Sequence, residues 1–317
     1  MAGQTLSDRT VLITGGAGFV GSHLADRLVA GNEVRVLDDL STGRREYVPD
    51  AAELIVGDVR DRDLLTRVMD GVDLVFHEAA VVSVEDSVER PKATHDVNVD
   101  GTLAVLEAAR EEDARVVVAS SAAVYGHPDE VPVAETDPKT PTSPYGIDKL
   151  AVDQYTRRYH DLYGLETVAL RYFNIYGPRQ SAGAYSGVID AFFEQARSGG
   201  PITVEGDGTQ TRDFIHVADV VEANLRAATT DHVGRAFNVG TGIETEIGAL
   251  AETVRDVTGE DALIVHTDPR DGDVERSCAG TSRAREELGF QANRGLEEGL
   301  GRVARIRAQG STQRPST

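Results

Sequence analysis

Tyr145 and Lys149 stand four residues apart in the stretch SPYGIDKLAVDQY, and a glycine-rich run, GGAGFVGSHL, opens at Gly15. Residues at i and i+4 share one helix face, a turn apart. An ammonium so placed can stabilise a phenolate and draw a phenol pKa of about 10 toward working pH. The chemistry on offer is proton transfer. Ser143 suits an N-cap and Pro144 a first helical turn, so the start of that helix is locally encoded. Singly, either element matches a solvated helix or an ordinary turn. Together and in this order they describe a dinucleotide cradle followed by an activated phenol.

Positioning them requires a sheet. Thr10 to Thr14 reads as a buried strand and Gly21 to Ala30 as the helix after it. Further apolar strands are expected at Glu33 to Leu37, Glu53 to Val56, Leu74 to His77, Arg115 to Ala119 and Thr167 to Tyr172, with helices such as Asp61 to Met69 and Gly101 to Glu111 between them. Continuous apolar strands alternating with amphipathic helices predict an α/β fold with a doubly wound parallel sheet. The second half is less regular, with turn clusters at Gly177-Pro178, Gly199-Gly200-Pro201 and Gly206-Asp207-Gly208. That pattern suits a smaller α/β substrate-binding domain over the sheet's carboxyl edge, where such folds bind ligands. The expected division gives 1–176, joined by 211–240, to the dinucleotide domain. It gives 177–210 and 241–308 to the substrate domain, and 309–317 to a disordered polar tail.

The first loop and the second strand select the cofactor. Gly15, Gly18 and Gly21 let backbone approach a pyrophosphate at a helix N-terminus. The second strand runs into Asp38-Asp39, where a carboxylate accepts bonds from an adenosine ribose and repels a 2′-phosphate. This favours NAD over NADP, although Arg44 and Arg45 lie further along. Asp58 and Val59, after the third strand, are placed to hold the adenine edge; the competing role for Asp58 is a helix cap.

Composition narrows the setting. The chain has 317 residues and a net charge of −21, from 53 acidic and 32 basic residues. Nucleic acid and anionic membrane are poor partners for it. Only Lys92, Lys139 and Lys149 are lysine. An acid-rich, lysine-poor surface suits concentrated salt, where charge is screened within about 3 Å at 1 M. Cys278 is the only cysteine, so no internal disulfide forms, and the eight histidines show no metal-binding spacing. With no signal-like leader and no apolar run near the ~20 residues of a membrane span, the expected location is cytoplasmic.

At this point the chain resembles the extended short-chain dehydrogenase/reductases, and within them the nucleotide-sugar epimerases. The resemblance covers roughly residues 10 to 300 and rests on GGAGFVGSHL, LDDLSTG, GDVRD, FHEAA, NVDGT, SSAAVYG, YGIDK, RYFNIYGPR, GDGTQTRDFIHV, FNVGTG and RDGDVERS. It implies a Rossmann domain that binds NAD through Gly15, Gly18, Phe19, Val20, Gly21, Asp38, Asp39, Thr42, Gly43, Asp58, Val59, Ala79, Ala80, Asn98, Tyr145, Lys149 and Tyr172. Tyr145 is implied as the acid/base and Lys149 as its partner, also reaching the nicotinamide ribose. Ser121 is implied as the hydroxyl that meets the sugar O4, with Ser120 the alternative.

The same resemblance implies that Asn174, Arg212 and Arg270 hold a substrate diphosphate, as arginine forks suit. Asp273 is implied at the nucleotide ribose and Ser277 opposite the C2 substituent of the hexose. The implied reaction is C4 epimerisation of a nucleoside-diphosphate hexose, most often a UDP-sugar, through a 4-keto intermediate. Glu205 departs from a position that is usually apolar or aromatic, which weakens uridine. A 4,6-dehydratase or decarboxylase needs acids after the catalytic hydroxyl, where this chain has Ala122 and Ala123. Epimerisation of a uronate and a non-catalytic redox sensor are the remaining alternatives. The family also implies a homodimer through paired helices.

Overall fold

Short runs of β-branched and aliphatic residues set the strands. In a computed structural model describing residues 6–180, 187–270 and 272–311, these are β1 (Thr10–Thr14), β2 (Glu33–Asp38), β3 (Glu53–Val56), β4 (Leu74–His77), β5 (Arg115–Ser121) and β6 (Thr167–Tyr172). There follow β7 (Asn174–Tyr176), β8 (Ile202–Glu205), β9 (Thr211–Arg212), β10 (Phe214–His216), β11 (Arg235–Val239), β12 (Thr245–Glu246) and β13 (Ile264–Thr267). The seven-stranded sheet has the order β11-β6-β5-β4-β1-β2-β3, and all its pairs are parallel. This is a Rossmann-type α/β fold. The order reverses between β1 and β4, the switch point at which doubly wound sheets open a ligand crevice.

The helices are α1 (Phe19–Leu28), α2 (Arg62–Met69), α3 (Val84–Glu89), α4 (Pro91–His95), α5 (Gly101–Glu112) and α6 (Pro144–Tyr163). They continue with α7 (Val188–Arg197), α8 (Val217–Ala227), α9 (Ile247–Thr258), α10 (Ser282–Glu287) and α11 (Leu296–Ser311). Leu24, Leu28, Val220 and Ala227 from α1 and α8 cover one sheet face; Leu65, Val68, Leu106 and Val152 from α2, α5 and α6 cover the other. Burial on both faces explains why these strands read as unbroken apolar runs rather than alternating ones. A separate core joins Phe192, Phe193, Val204, Leu250, Val254 and Leu300, from α7, β8, α9 and α11.

Several boundaries differ from the sequence expectation. Helix α1 begins at Phe19, not Gly21, because Gly18 is its extended N-cap. It also stops at Leu28. Strand β5 runs on through Ser120 and Ser121, which pair in register with Arg171 and Tyr172 of β6. The expected disordered tail from Gln309 is corrected in part, since α11 continues to Ser311; residues 312–317 lie outside the described residues.

Helix α6 carries the site. Ser143 Oγ accepts from Gly146 N at 3.1 Å, Pro144 occupies the first turn, and Gly164 (φ 75°) ends the helix in the left-handed region. Its inner face buries Tyr145, Lys149, Val152 and Asp153. Asp153 then fixes the helix to the sheet. Its carboxylate takes Arg171 Nε at 2.8 Å and Nη2 at 3.1 Å, and Arg157 Nε at 3.0 Å.

Candidate active site

The glycine loop is a backbone cradle with no room for side chains. A Cβ on Gly21 would lie 2.3 Å from Gly15 O, and one on Gly15 (φ +68°) would lie 2.6 Å from Ala79 N. Gly18 caps α1 without a side-chain bond, so the first N–H groups of Phe19 and Val20 are open to an anion. That geometry fits the pyrophosphate of a dinucleotide.

Asp38 is buried at the end of β2. Its carboxylate accepts from Ala17 N at 2.9 Å and Leu40 N at 2.8 Å, tying the β2 loop to the glycine loop. Burial raises its pKa and these backbone bonds oppose the rise. Gly43 packs against it, since a Cβ there would meet Asp38 Oδ1 at 2.7 Å; Thr42 precedes it in the same loop. Asp39 instead turns outward, accepting from Ser41 N and Oγ at 2.9 and 2.6 Å. The two aspartates are thereby sorted: Asp38 faces the cradle and Asp39 the solvent.

Asp58 caps no helix. Asp61 does, accepting from Leu64 N, while Asp58 pairs with the Arg60 guanidinium, which lowers its pKa. Val59 is buried against Gly101. Ala79 and Ala80 lie half-buried after β4. Asn98 is buried beneath the loop after β4. Its amide accepts from Val81 N at 2.8 Å and donates to Val81 O at 3.0 Å, so it holds the Ala79–Val81 loop in shape.

At the reacting end, Ser120 and Ser121 separate. Ser120 is buried toward Asp153, with Oγ 3.5 Å from Oδ2. Ser121 opens the turn at Ala122–Tyr125, accepts from Ala123 N at 3.1 Å, and its side chain acts on the Tyr145 phenol. Lys149 Nζ lies 5.9 Å from the Tyr145 ring centroid and donates to Ala119 O at 2.8 Å. Burial pushes its pKa down to about 8. Burial raises the phenol, and Ser121 is the group that opposes the rise. The ammonium is directed at a carbonyl, not at the phenol.

Tyr172 donates to Glu78 Oε1 at 2.9 Å and meets Asn224 at 2.8 Å. Glu78 was passed over in the sequence, although an acid inside the apolar FHEAA run was signal enough. Ser87 was also missed; its Oγ accepts from Tyr145 N at 3.1 Å, and only the fold brings it there.

The expected substrate residues lie on and around the smaller sheets, Asn174 on β7, Arg212 on β9, and Arg270, Asp273 and Ser277 in the segment after β13. Arg212 donates to Val274 O at 2.6 Å and to Asp273 Oδ1 at 2.6 Å. A cleft of about 990 Å³ is lined by residues including Glu205, Gln210, His266, Arg270, Asp273 and Arg276. Asn174 is half-buried on β7, its N–H on Asp213 O at 3.0 Å. Ser277 is half-buried beside this cleft, with its N–H on Thr211 O at 3.2 Å. Among the described residues no group of three or more His, Cys, Asp or Glu is gathered for a metal, and no helix is long and apolar enough to cross a membrane.

A dinucleotide cradle and a Ser/Tyr/Lys centre on one doubly wound sheet, with an arginine-lined cleft on the smaller sheets, define a nucleotide-sugar enzyme of the short-chain dehydrogenase/reductase type. Residues 11–240 match the model of the NAD dependent epimerase/dehydratase family, and the chain belongs to that family. It is 40% identical over 297 residues to a putative UDP-glucose 4-epimerase of Methanocaldococcus jannaschii, covering 92% of this chain and 96% of that one. The fold is similar to that of a UDP-N-acetylglucosamine 4-epimerase from Methanobrevibacter ruminantium M1 in complex with UDP-N-acetylmuramic acid, with TM-score 0.93 and 34% identity, covering 96% and 100% of the two chains. It is also similar to a Thermotoga maritima UDP-glucose 4-epimerase with UDP-glucose, with TM-score 0.92 and 35% identity over 95% and 99%. The chain is thus an extended short-chain dehydrogenase/reductase of the nucleotide-sugar epimerase kind, with NAD as its cofactor.

Proposed function

We propose that this protein interconverts UDP-hexoses at C4, acting on UDP-glucose and UDP-galactose and on their N-acetyl forms. The observation that carries the reading is the Tyr145 phenol, on which the Ser121 side chain acts, with Lys149 Nζ 5.9 Å from the ring centroid and the methyl groups of Ala122 and Ala123 next in the chain. Those alanines offer no acid to eliminate water or assist decarboxylation, so proton transfer at one carbon is what remains. The UDP-sugar names of the relatives support the nucleotide.

When bound, NAD supplies hydride acceptance and return at C4. Tyr145 takes the proton of the 4-hydroxyl and gives it back, and Ser121 holds O4 and steadies the phenolate. Lys149 contributes positive charge beside the phenol and binds the nicotinamide ribose. Arg212, Arg270 and Asn174 anchor the diphosphate and Asp273 the ribose, so the 4-keto sugar turns about a fixed end and presents its other face. We assign 1–176 with 211–240 to the cofactor domain and 177–210 with 241–308 to the substrate domain; the pairing of β11 with β6 supports this.

Purified protein, given no NAD, should turn over UDP-glucose and UDP-galactose and their N-acetyl forms when products are resolved by chromatography. Turnover only of UDP-glucuronate, or only with added NAD and net reduction of it, would replace the reading. The same panel run on Ser277→Tyr tests the C2 pocket. A small residue there leaves room for an acetamido group, so the variant should lose the N-acetyl substrates about tenfold or more while keeping the plain hexoses. Equal effects on both would remove Ser277 from that role.

The acid-rich surface and the apolar groups exposed on α6, among them Ile147, Tyr155 and Leu162, support a salt-adapted cytoplasmic homodimer. The unfolding midpoint should rise by about 10 °C or more from dilute buffer to molar KCl, as self-repulsion is screened. Light scattering in the same titration should give the mass of two chains. A salt-independent midpoint, or one chain's mass throughout, contradicts the respective part.

A further inference from the structure

Glu78 follows the last residue of β4 and sits where the glycine loop meets the reacting end. A Cβ on Gly15 would lie 2.8 Å from its carbonyl carbon, and its own N–H donates to Thr14 O at 3.0 Å. Its carboxylate is clamped by the Tyr172 hydroxyl at 2.9 Å, and Tyr172 is in turn held by Asn224 Nδ2 at 2.8 Å, with that amide anchored to Val220 O at 2.9 Å. Three elements, β4, β6 and α8, thus fix one acid in place.

The groups around it show what its charge meets. His77, its neighbour on β4, is held between the Thr14 and Thr102 hydroxyls at 2.7 and 2.9 Å, and burial pushes its pKa down to about 3, so it is neutral. Tyr172 and Asn224 are neutral as well. β4 pairs with β5 through His77 and Val118, so Glu78 follows beside Ala119, whose carbonyl takes the Lys149 ammonium from α6 at 2.8 Å; the two charges act on each other there. Burial pushes the Glu78 pKa up to about 7, so the charge is present on the alkaline side of neutrality. A glutamine would accept the same Tyr172 hydrogen bond without the cost of desolvating a charge. The acid therefore contributes something that the hydrogen bond alone does not.

We propose that Glu78 is the counter-charge of the redox centre, a positioning residue whose clamped carboxylate stands opposite the Lys149 ammonium and favours the oxidised, cationic form of the bound nicotinamide. This rests on the reading of Tyr145 and Lys149 as the proton-transfer pair given above. An epimerase that regenerates its cofactor in place must return the hydride in every cycle. A fixed, half-buried negative charge there biases the bound dinucleotide toward the form that begins each cycle.

The test is a redox titration of the holoenzyme with mediators at about pH 8, read by nicotinamide absorbance, which does not depend on epimerase activity. At the potential that half-reduces the wild type, Glu78→Gln should shift the bound ratio about tenfold toward the reduced form, the effect of removing one nearby charge in a protein interior. Glu78→Asp, which keeps the charge, should restore most of the wild-type ratio. Should Glu78→Gln purify without dinucleotide, titration with NAD⁺ and with NADH gives the same comparison. A greater loss of NAD⁺ affinity supports the inference, and an equal loss of both overturns it. A ratio within twofold of wild type in Glu78→Gln, or an equal shift in Glu78→Asp, also overturns it. Wild-type failure on the sugar panel would strike the epimerase reading instead, and leaves this titration interpretable.

Discussion

Tyr145→Phe lowers kcat by about a hundred- to ten-thousandfold, the range that a positioned general acid/base supplies. The bound NAD and the unfolding midpoint should stay close to wild type. The Tyr145 N–H bond to Ser87 Oγ at 3.1 Å does not involve the hydroxyl, so removing the hydroxyl takes away a proton carrier and leaves the packed ring. Because burial raises the phenol, the fraction ionised at neutral pH is small unless neighbouring positive charge favours it. On the function proposed above Lys149 is that charge, and with its pKa at about 8 it is lost as pH rises through that value. Lys149→Met should therefore also lose activity, with partial recovery at high pH where the phenol ionises unaided. Near-normal kcat in Tyr145→Phe, measured under saturating UDP-galactose, would assign proton transfer to another group.

Asp153→Asn costs about 3–5 kcal/mol of stability, the loss expected when one member of a buried ion pair is removed and the other is left charged. Arg171 is buried at 1% exposure and Asp153 at 0%. Besides Asp153, Arg171 donates only to the Tyr125 hydroxyl at 2.9 Å and Glu135 O at 3.1 Å among the described residues. An amide accepts one bond from the guanidinium but neutralises none of its charge. The measurement is urea unfolding in constant salt, with a lowered midpoint and unchanged slope. A second variant, Asp153→Leu with Arg171→Met, removes both charges and should recover much of the loss. A loss under about 1 kcal/mol in Asp153→Asn would mean that water reaches Arg171 and that the pair does not hold α6. The consequence for function is direct, because Asp153 stands one turn beyond Lys149 on the helix that presents Tyr145.

Local features of the chain determined a good deal by themselves. The β1–loop–α1 unit was legible because three glycines at fixed spacing are needed wherever backbone must close to within a side chain's width, and Gly21 against Gly15 O shows that need. The α6 start was legible because Ser143 and Pro144 act on their own first turn. The i, i+4 placement of Tyr145 and Lys149 follows from helix geometry alone. Even the parallel sheet was readable, since strands buried on both faces lose their polar alternation.

Only the tertiary structure decided how each side chain is used. Ser120 and Ser121 are adjacent and identical, yet successive residues of a strand point to opposite sides. Packing alone sends Ser120 to Asp153 and Ser121 to Tyr145. Asp38 and Asp39 are separated the same way, one buried under Ala17 N and the other turned to Ser41. The bonds of the Asn98 amide to Val81 N and O are likewise set by the fold, since the two residues lie on different elements. Glu78, Lys149 and Tyr172 come from three elements far apart in the chain. Their mutual effect depends on distance and on exclusion of water, and neither quantity is written in local sequence.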